Sequence, residues 1–306
     1  MQDFRKSEYC WQNGRFVAWD GAMLHPASHG AMYGTGVFEG ISCYKTPNGP
    51  ALFRLGEHIQ RLLGSARIMR MKVRHTKRQI EKACAAVVGK NGFDECYIRP
   101  MVSYGYGKIG LAPIGLKTDF TIVAWQQHDY LGKKAQEKGI RVKASGIRRI
   151  FGRQDFAGAK ITGNYFNSAL AKMEAIEAGF DEALMLDSEG FVCECAVENI
   201  FMARGGGLIT PTTSSALPGI TRASIIEIAR NEGIRVQEKF FGPEELCAAD
   251  EVFITGTSAE VTPVVQVDTQ KIGDGAPGTI TKKLQKIYFD AVRGKEKKYE
   301  KWLTYV

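Results

Sequence analysis

Tyr9-Cys10-Trp11-Gln12-Asn13-Gly14-Arg15-Phe16-Val17-Ala18-Trp19 reads as an antiparallel β-hairpin. Two runs of strand-forming residues flank Asn13-Gly14, and Asn-Gly supplies the positive φ angles of a type I′ turn. Another strand is expected near residues 37–44. The first helix starts near Leu55 and sets Ile59, Leu62, Leu63, Ala66 and Met69 on one face at helical period. Thr76-x-x-Gln79 resembles a capping box, opening a helix that runs to the stop at Lys90-Asn91-Gly92. Strands near 95–103 and 119–126 flank a glycine-rich loop at 104–115. The first half is therefore α+β.

Residues 130–139 are polar and glycine-flanked, and are read as an interdomain connection between a smaller N-terminal domain, 1–129, and a larger C-terminal one, 140–306. The second half reads as a strand at 140–145, a loop, a helix at 165–178, and strands at 182–187, 191–195 and 199–203. Ser188-Glu189-Gly190 turns the first pair. A helix at 219–232 carries Ile220, Ala223, Ile226 and Ala229, with Ile225 less well aligned. Strands near 234–238 and 251–255 and a last helix near 277–292 lead into a charged tail.

The chain has 306 residues, 44% of them hydrophobic and 24% charged, a globular composition that excludes disorder and collagen. The net charge of +8 is spread along the chain without an RNA-module aromatic motif, so it does not point to nucleic acid. A diffuse positive surface suits a small anionic ligand. No apolar run approaches the roughly 18–20 residues needed to span a bilayer, and Met1–Lys6 lacks the apolar core of a signal peptide. A cytoplasmic protein is expected. Seven cysteines without CxxC pairing indicate neither a disulfide framework nor a zinc site, and most are expected to be small buried hydrophobes. Cys193-x-Cys195 and the pair His25 and His29 are weak metal signals, since no further ligand accompanies the first and Pro26 and Gly30 disfavour a helix for the second.

Two segments suit an anion. In Ala216-Leu217-Pro218-Gly219-Ile220-Thr221-Arg222, Pro and Gly precede a patterned helix, so its first amides and the Thr221 hydroxyl can converge on a phosphate. In Ile254-Thr255-Gly256-Thr257-Ser258-Ala259 a strand ends in a hydroxyl-rich glycine turn. Each also reads as an ordinary cap or turn. No P-loop spacing is present, and Gly105-x-Gly107-x-x-Gly110 precedes a proline-containing loop rather than a helix, which disfavours a nucleotide fold. Lys160 lies in a loop just before a helix. Spacing alone does not distinguish it from a surface lysine.

Seven ordered blocks carry a resemblance. They are Met32-Tyr33-Gly34-Thr35-Gly36-Val37-Phe38-Glu39-Gly40-Ile41, Glu57-His58-Ile59-Gln60-Arg61-Leu62, Tyr97-Ile98-Arg99-Pro100, Lys160 with Gly163-Asn164-Tyr165, Glu194-Cys195-Ala196-Val197-Glu198-Asn199, Ser215 to Arg222, and Thr255 to Pro263. Over essentially its whole length the chain resembles the fold-type IV aminotransferases dependent on pyridoxal 5′-phosphate, and most closely the branched-chain amino acid aminotransferases. The resemblance implies a two-domain α+β fold with a pseudo-barrel sheet in the larger domain, which would carry the cofactor lysine. It further implies that Lys160 forms the internal aldimine and later shuttles a proton between substrate and cofactor. Arg61, Ile220, Thr221 and Thr257 are expected to hold the phosphate, Tyr165 to hydrogen-bond the phenolate oxygen, and Glu194 to keep the pyridine nitrogen protonated.

By the same resemblance Phe38, Tyr33, Tyr130 and Tyr165 line the side-chain pocket, while Tyr97, Arg99 and the Thr257-Ser258 turn bind carboxylates. Tyr33 and Leu111 are expected to enter from a neighbouring subunit, making the active unit a homodimer. The implied reaction is ping-pong transamination of leucine, isoleucine or valine with 2-oxoglutarate. The alternatives are a D-amino acid or (R)-amine transaminase or an aminodeoxychorismate lyase of the same fold type, or a non-catalytic cofactor carrier. Three departures bear on this: Ser42 stands where many members have Arg, Gln127 falls where a Trp-Gly pair is usual, and Cys195 replaces a Gly, adding a Cβ that could alter how the strand meets the cofactor. Glu198 lies on the face of Glu194 if the strand is regular, and is read as structural.

Overall fold

The computed structural model describes residues 4–127, 131–150, 156 and 158–306. Two compact units emerge, one of Met1–His128, Ala159–Asn164 and Ala291–Val306, the other of Asp129–Gly158 and Tyr165–Asp290. This differs from a boundary at 130–139 with Lys160 in the C-terminal domain. Ala159 and Ile161 are buried in the core of the first unit, and Ile161 bridges Val37, so the lysine segment groups with that unit.

The first unit is built on strands β1 (Phe4–Lys6), β2 (Tyr9–Gln12), β3 (Arg15–Ala18), β4 (Gly36–Phe38), β5 (Ile41–Thr46), β6 (Gly49–Phe53), β7 (Cys96–Tyr104) and β8 (Thr118–Gln127). With the C-terminal strand Leu303–Tyr305 they form an antiparallel sheet ordered Leu303–Tyr305, β6, β5, β7, β8, β2, β3, with β1 on β8 and β4 on β7. Asn13 and Gly14 adopt φ of 51° and 97°, as the opening hairpin requires, and Gln12 faces Arg15.

The strand expected at 37–44 is split into β4 and β5, yet its register against β7 is continuous: Phe38 faces Met101 and Ile41 faces Ile98. The break has a simple cause. Glu39 donates its N–H to the carbonyl of Pro100 at 2.9 Å, and Pro100 has no N–H to return.

Helices α1 (His29–Tyr33), α2 (Leu55–Ile68) and α3 (Lys77–Asn91) complete this unit. Ile59, Leu62 and Ala66 of α2 are buried as the periodicity demands, while Leu63 is only partly buried and Met69 caps the helix from outside it. The Thr76–Gln79 capping box is present, and Gly92 ends α3 in the left-handed region. The charged tail is more ordered than its composition suggests. Tyr299 and Trp302 are buried, and Trp302 packs edge-on against Phe53 of β6.

One glycine contact bears on the lysine segment. Gly34 ends α1 at φ 63°, and a Cβ there would lie 2.8 Å from the Gly163 Cα. Its carbonyl accepts from Gly163 N–H at 2.9 Å and from Thr162 Oγ1 at 2.6 Å. Gly34→Ala is therefore expected to destabilise the protein by about 1–3 kcal/mol through positive-φ strain and overpacking. Urea unfolding measures it, and an unchanged midpoint counts against the contact.

The second unit holds β9 (Ile140–Ala144), β10 (Glu182–Leu186), β11 (Val192–Cys195), β12 (Asn199–Arg204), β13 (Gly207–Thr210), β14 (Val236–Glu238), β15 (Glu251–Gly256), β16 (Glu260–Val267) and β17 (Gln270–Lys271). They form a mixed sheet ordered β11-β10-β9-β16-β15-β12-β13-β14, with β17 on β16. Its helices are α4 (Lys133–Lys138), α5 (Tyr165–Glu177), α6 (Ile220–Asn231) and α7 (Pro243–Cys247), and a final helix, α8, covers Thr279–Val292. Part of the expected connection at 130–139 is thus helical. Ile225 is fully buried despite its imperfect alignment. One core gathers Ile140, Val142, Ile200, Val252 and Ile254, and a smaller one sets Ala171 and Ala175 of α5 against Ala183 and Met185. Among the described residues no helix is long and apolar enough to cross a membrane.

Candidate active site

In the first unit, Lys160 is held by its backbone. Its N–H donates to the Ser65 hydroxyl at 3.0 Å, and its carbonyl accepts from Phe38 N–H at 3.1 Å. Both sequence neighbours are buried, so the side chain leaves from a fixed point, with Nζ 5.0 Å from the centre of the Phe38 ring.

The same ring carries a second cation. The Arg99 guanidinium lies 4.8 Å from Phe38, 5.3 Å from Tyr97 and 5.6 Å from Trp125, and Nη2 donates to Tyr97 Oη at 3.1 Å. Among the described residues Arg99 Nε is buried without a hydrogen-bond partner. Phe38, Tyr97, Arg99 and Lys160 are thus brought together. Trp125 joins them, which the sequence reading missed although it faces Tyr97 across the β7–β8 pair. Ser42 faces Tyr97 from the other side, on β5.

Arg61 is side-on to a fully buried carboxylate. Its Nε donates to Glu39 Oε1 at 2.6 Å and its Nη2 to Oε2 at 2.8 Å, while His58 Nδ1 lies 2.8 Å from Oε2. Burial alone would raise the Glu39 pKa, but Arg61 and His58 hold it well below the usual carboxylate range. Burial likewise lowers the His58 pKa, with Arg61 and Lys160 adding to the effect against Glu39. Against the carboxylate, the His58 Nδ1–H is the donor.

Tyr33 and Leu111 are solvent-exposed, at 41% and 77%. They are linked by His29, weighed above only as a metal ligand: its ring lies 4.6 Å from Tyr33 and its Nε2 donates to the Leu111 carbonyl at 3.0 Å. Tyr130 lies outside the described residues.

In the second unit, buried Glu194 on β11 pairs with Arg149 Nη2 at 2.8 Å and accepts from Asn199 Nδ2 at 3.2 Å and Leu217 N–H at 3.1 Å. Burial opposes the Arg149 charge, yet Glu194 and Tyr165 outweigh it and its pKa is raised. Asn199 also donates to the Leu217 carbonyl at 2.8 Å, and Cys193 Sγ to the Ser215 carbonyl at 2.6 Å. These bonds tie the Ser215–Leu217 segment to β11 and aim α6. Gly219 makes this possible, since a Cβ there would lie 1.9 Å from Asn199 Oδ1.

Helix α6 begins at Ile220 with no side-chain cap, and Ile220 and Thr221 are buried. A buried helix start without a cap calls for an acceptor, which a phosphate supplies. Thr255 Oγ1, ahead of the Gly256 turn, is also buried without a partner. Thr257 and Ser258 follow in that turn, half-buried. Each unit by itself carries groups whose chemistry fits pyridoxal phosphate: a lysine for its aldehyde in the first, and an uncapped helix start for its phosphate and a buried carboxylate for its ring nitrogen in the second.

One expectation is corrected. Glu198 does not share a strand face with Glu194, because β11 ends at Cys195 and the chain turns there, Cys195 N–H donating to the Glu198 carbonyl at 2.7 Å. The Cys195 side chain is fully buried in the core of the second unit.

Glu198 is itself buried with Oε1 unpartnered, and its pKa is raised by burial and by Glu182, with Glu194 adding to this against Lys172 and the Val197 N–H. An acid whose folded pKa exceeds its unfolded one stabilises the fold fully below the unfolded value and loses that contribution as pH rises. Glu198→Gln is therefore expected to match the parent in thermal midpoint at pH 4 and exceed it by a few degrees at pH 8. Equal midpoints at pH 8 would contradict a raised Glu198 pKa.

Residues 36–267 match the family of class IV amino-transferases. The chain is 45% identical to a branched-chain-amino-acid aminotransferase of Pseudomonas aeruginosa, covering 97% of this chain and 96% of that protein. It is 42% identical to the one of Escherichia coli K12, covering 99% and 98%. It superposes on a T.th. branched-chain amino acid aminotransferase with pyridoxamine 5′-phosphate at a TM-score of 0.95, with 43% identity over 98% of this chain and 99% of that one. A second structure of that enzyme, complexed with N-(5′-phosphopyridoxyl)-L-glutamate, gives 0.92, with 42% identity and the same coverage. The fold is of type IV, mixing helices with sheets of which one is curled into a half-barrel.

Proposed function

This chain belongs to the class IV aminotransferases, and from that premise we propose that it moves the amino group of leucine, isoleucine or valine onto 2-oxoglutarate with pyridoxal 5′-phosphate. The donor class rests on one observation: the relatives matched at 42–45% identity over nearly the whole chain are named for branched-chain amino acids. Bound cofactor supplies a protonated conjugated ring that delocalises the electron pair left when the Cα–H bond breaks.

Lys160 would anchor the cofactor and, once released, would carry the proton from the substrate Cα to the cofactor carbon that bore the aldehyde, serving as general base and then general acid from one tethered position. Arg61, Ile220, Thr221 and Thr257 bind the phosphate, the last three supported by an uncapped helix start and a hydroxyl turn. Glu194 holds the proton on the ring nitrogen, and Tyr165 donates to the ring oxygen. Phe38 and Tyr130 take the aliphatic side chain, while Arg99, Tyr97 and Ser258 take carboxylates. Arg99 Nε, buried and without a partner among the described residues, is a donor left for a carboxylate and supports that role. Tyr33 and Leu111, exposed on a single chain, are assigned to the pocket of a second copy in a homodimer.

A donor panel with 2-oxoglutarate tests the proposal. Glutamate is expected from the L-enantiomers of leucine, isoleucine and valine and not from D-alanine or an (R)-amine. No product from any of the three L-donors removes the assignment, and turnover confined to D- or (R)-donors moves it to another member of the fold type.

A further inference from the structure

Three polar residues of α2, His58, Arg61 and Ser65, are spaced three and four apart and so share one face of the helix. Each has a buried task. Ser65 receives the Lys160 N–H, Arg61 donates twice to Glu39, and His58 donates to the same carboxylate. Glu39 is therefore held by three bonds in a site with no solvent exposure, while Arg61 keeps 12% of its side chain exposed. The two bonds engage one edge of the guanidinium, Nε and Nη2, and so fix the plane of the fork. Glu39 is in turn fixed by its own backbone, through the bond to Pro100.

We propose that Glu39 is a positioning residue: it never meets the phosphate, but with His58 it clamps Arg61 in the orientation in which Arg61 binds it. The inference rests on the reading of Arg61 as a phosphate ligand. A flexible arginine pays side-chain entropy on binding an anion, and a pre-clamped one does not. Because Ser65 on the same helix face holds the backbone of Lys160, the clamp also fixes the phosphate-binding group relative to the lysine that must reach the aldehyde. A carboxylate one residue beyond Phe38 and a histidine three before Arg61 thereby acquire a role that chemistry at the reacting atoms does not assign them.

The test uses cofactor-free full-length protein and compares dissociation constants for pyridoxal 5′-phosphate and for pyridoxal, which lacks the phosphate. In Glu39→Gln, which keeps the shape and removes the charge, phosphate-ester binding is expected to weaken by about tenfold or more and pyridoxal binding to change by less than about twofold, as loss of charge-assisted bonds to one group implies. Equal weakening of both ligands, or of neither, overturns the clamp. Arg61→Met is the control on the underlying reading: if it keeps the preference for the phosphate ester, Arg61 is no phosphate ligand and that reading falls first. If Arg61→Met abolishes the preference while Glu39→Gln retains it, only the clamp falls. Should Glu39→Gln not fold, His58→Gln decides, with a selective loss of about threefold supporting the clamp and an unchanged ratio overturning it.

Discussion

Lys160→Ala is expected to lower transamination by on the order of 10⁴-fold or more, since one side chain supplies both the covalent anchor and the proton transfer. Folding is expected to survive. The backbone of residue 160 is held through Ser65 and Phe38, the buried neighbours Ala159 and Ile161 are untouched, and the lysine side chain is only half-buried. Borohydride reduction after soaking with pyridoxal phosphate should label residue 160 in the parent and leave the variant unlabelled. Retention of a tenth of the activity, or a label on another lysine, contradicts the assignment.

The second large effect lies at Glu194 and has two separable parts. Glu194→Gln leaves Arg149 as a buried cation without its counter-charge, and breaking such a pair by removing one partner costs about 3–5 kcal/mol. In the role proposed for Glu194 it also removes the negative charge assigned to hold the ring nitrogen protonated, with an expected loss of activity of roughly 100-fold or more, comparable to removing a preorganised electrostatic group. The double variant Glu194→Gln/Arg149→Met separates them. Its stability is expected to recover in large part, because neither charge is left stranded, while activity stays low. Recovery of both in parallel would mean that Glu194 matters only through folding.

Local signals in the sequence were sound where the structure is local. The Asn13-Gly14 hairpin, the Thr76 capping box and the helix starting at Ile220 follow from dihedral preference, capping and period, and each has its expected form. Misreadings arose where a partner far along the chain decides. The split between β4 and β5 comes from Pro100 on another strand, and the C-terminal strand exists because β6 offers it an edge. Trp125 and His29 were overlooked as site-forming residues because one acquires its meaning from a cross-strand neighbour and the other from a loop carbonyl.

The residue types present, in order along the chain, determined by themselves the family, and through that resemblance which lysine, which anion-suited segments and which carboxylate are proposed for the site. Tertiary structure alone decided which charges are paired. Arg61 meets Glu39, Arg149 meets Glu194, and Glu198 is left with an unpartnered oxygen at a turn. The physical reason is that a charge's behaviour depends on its desolvation and on neighbours brought by folding from distant positions, and neither is encoded in the residues beside it.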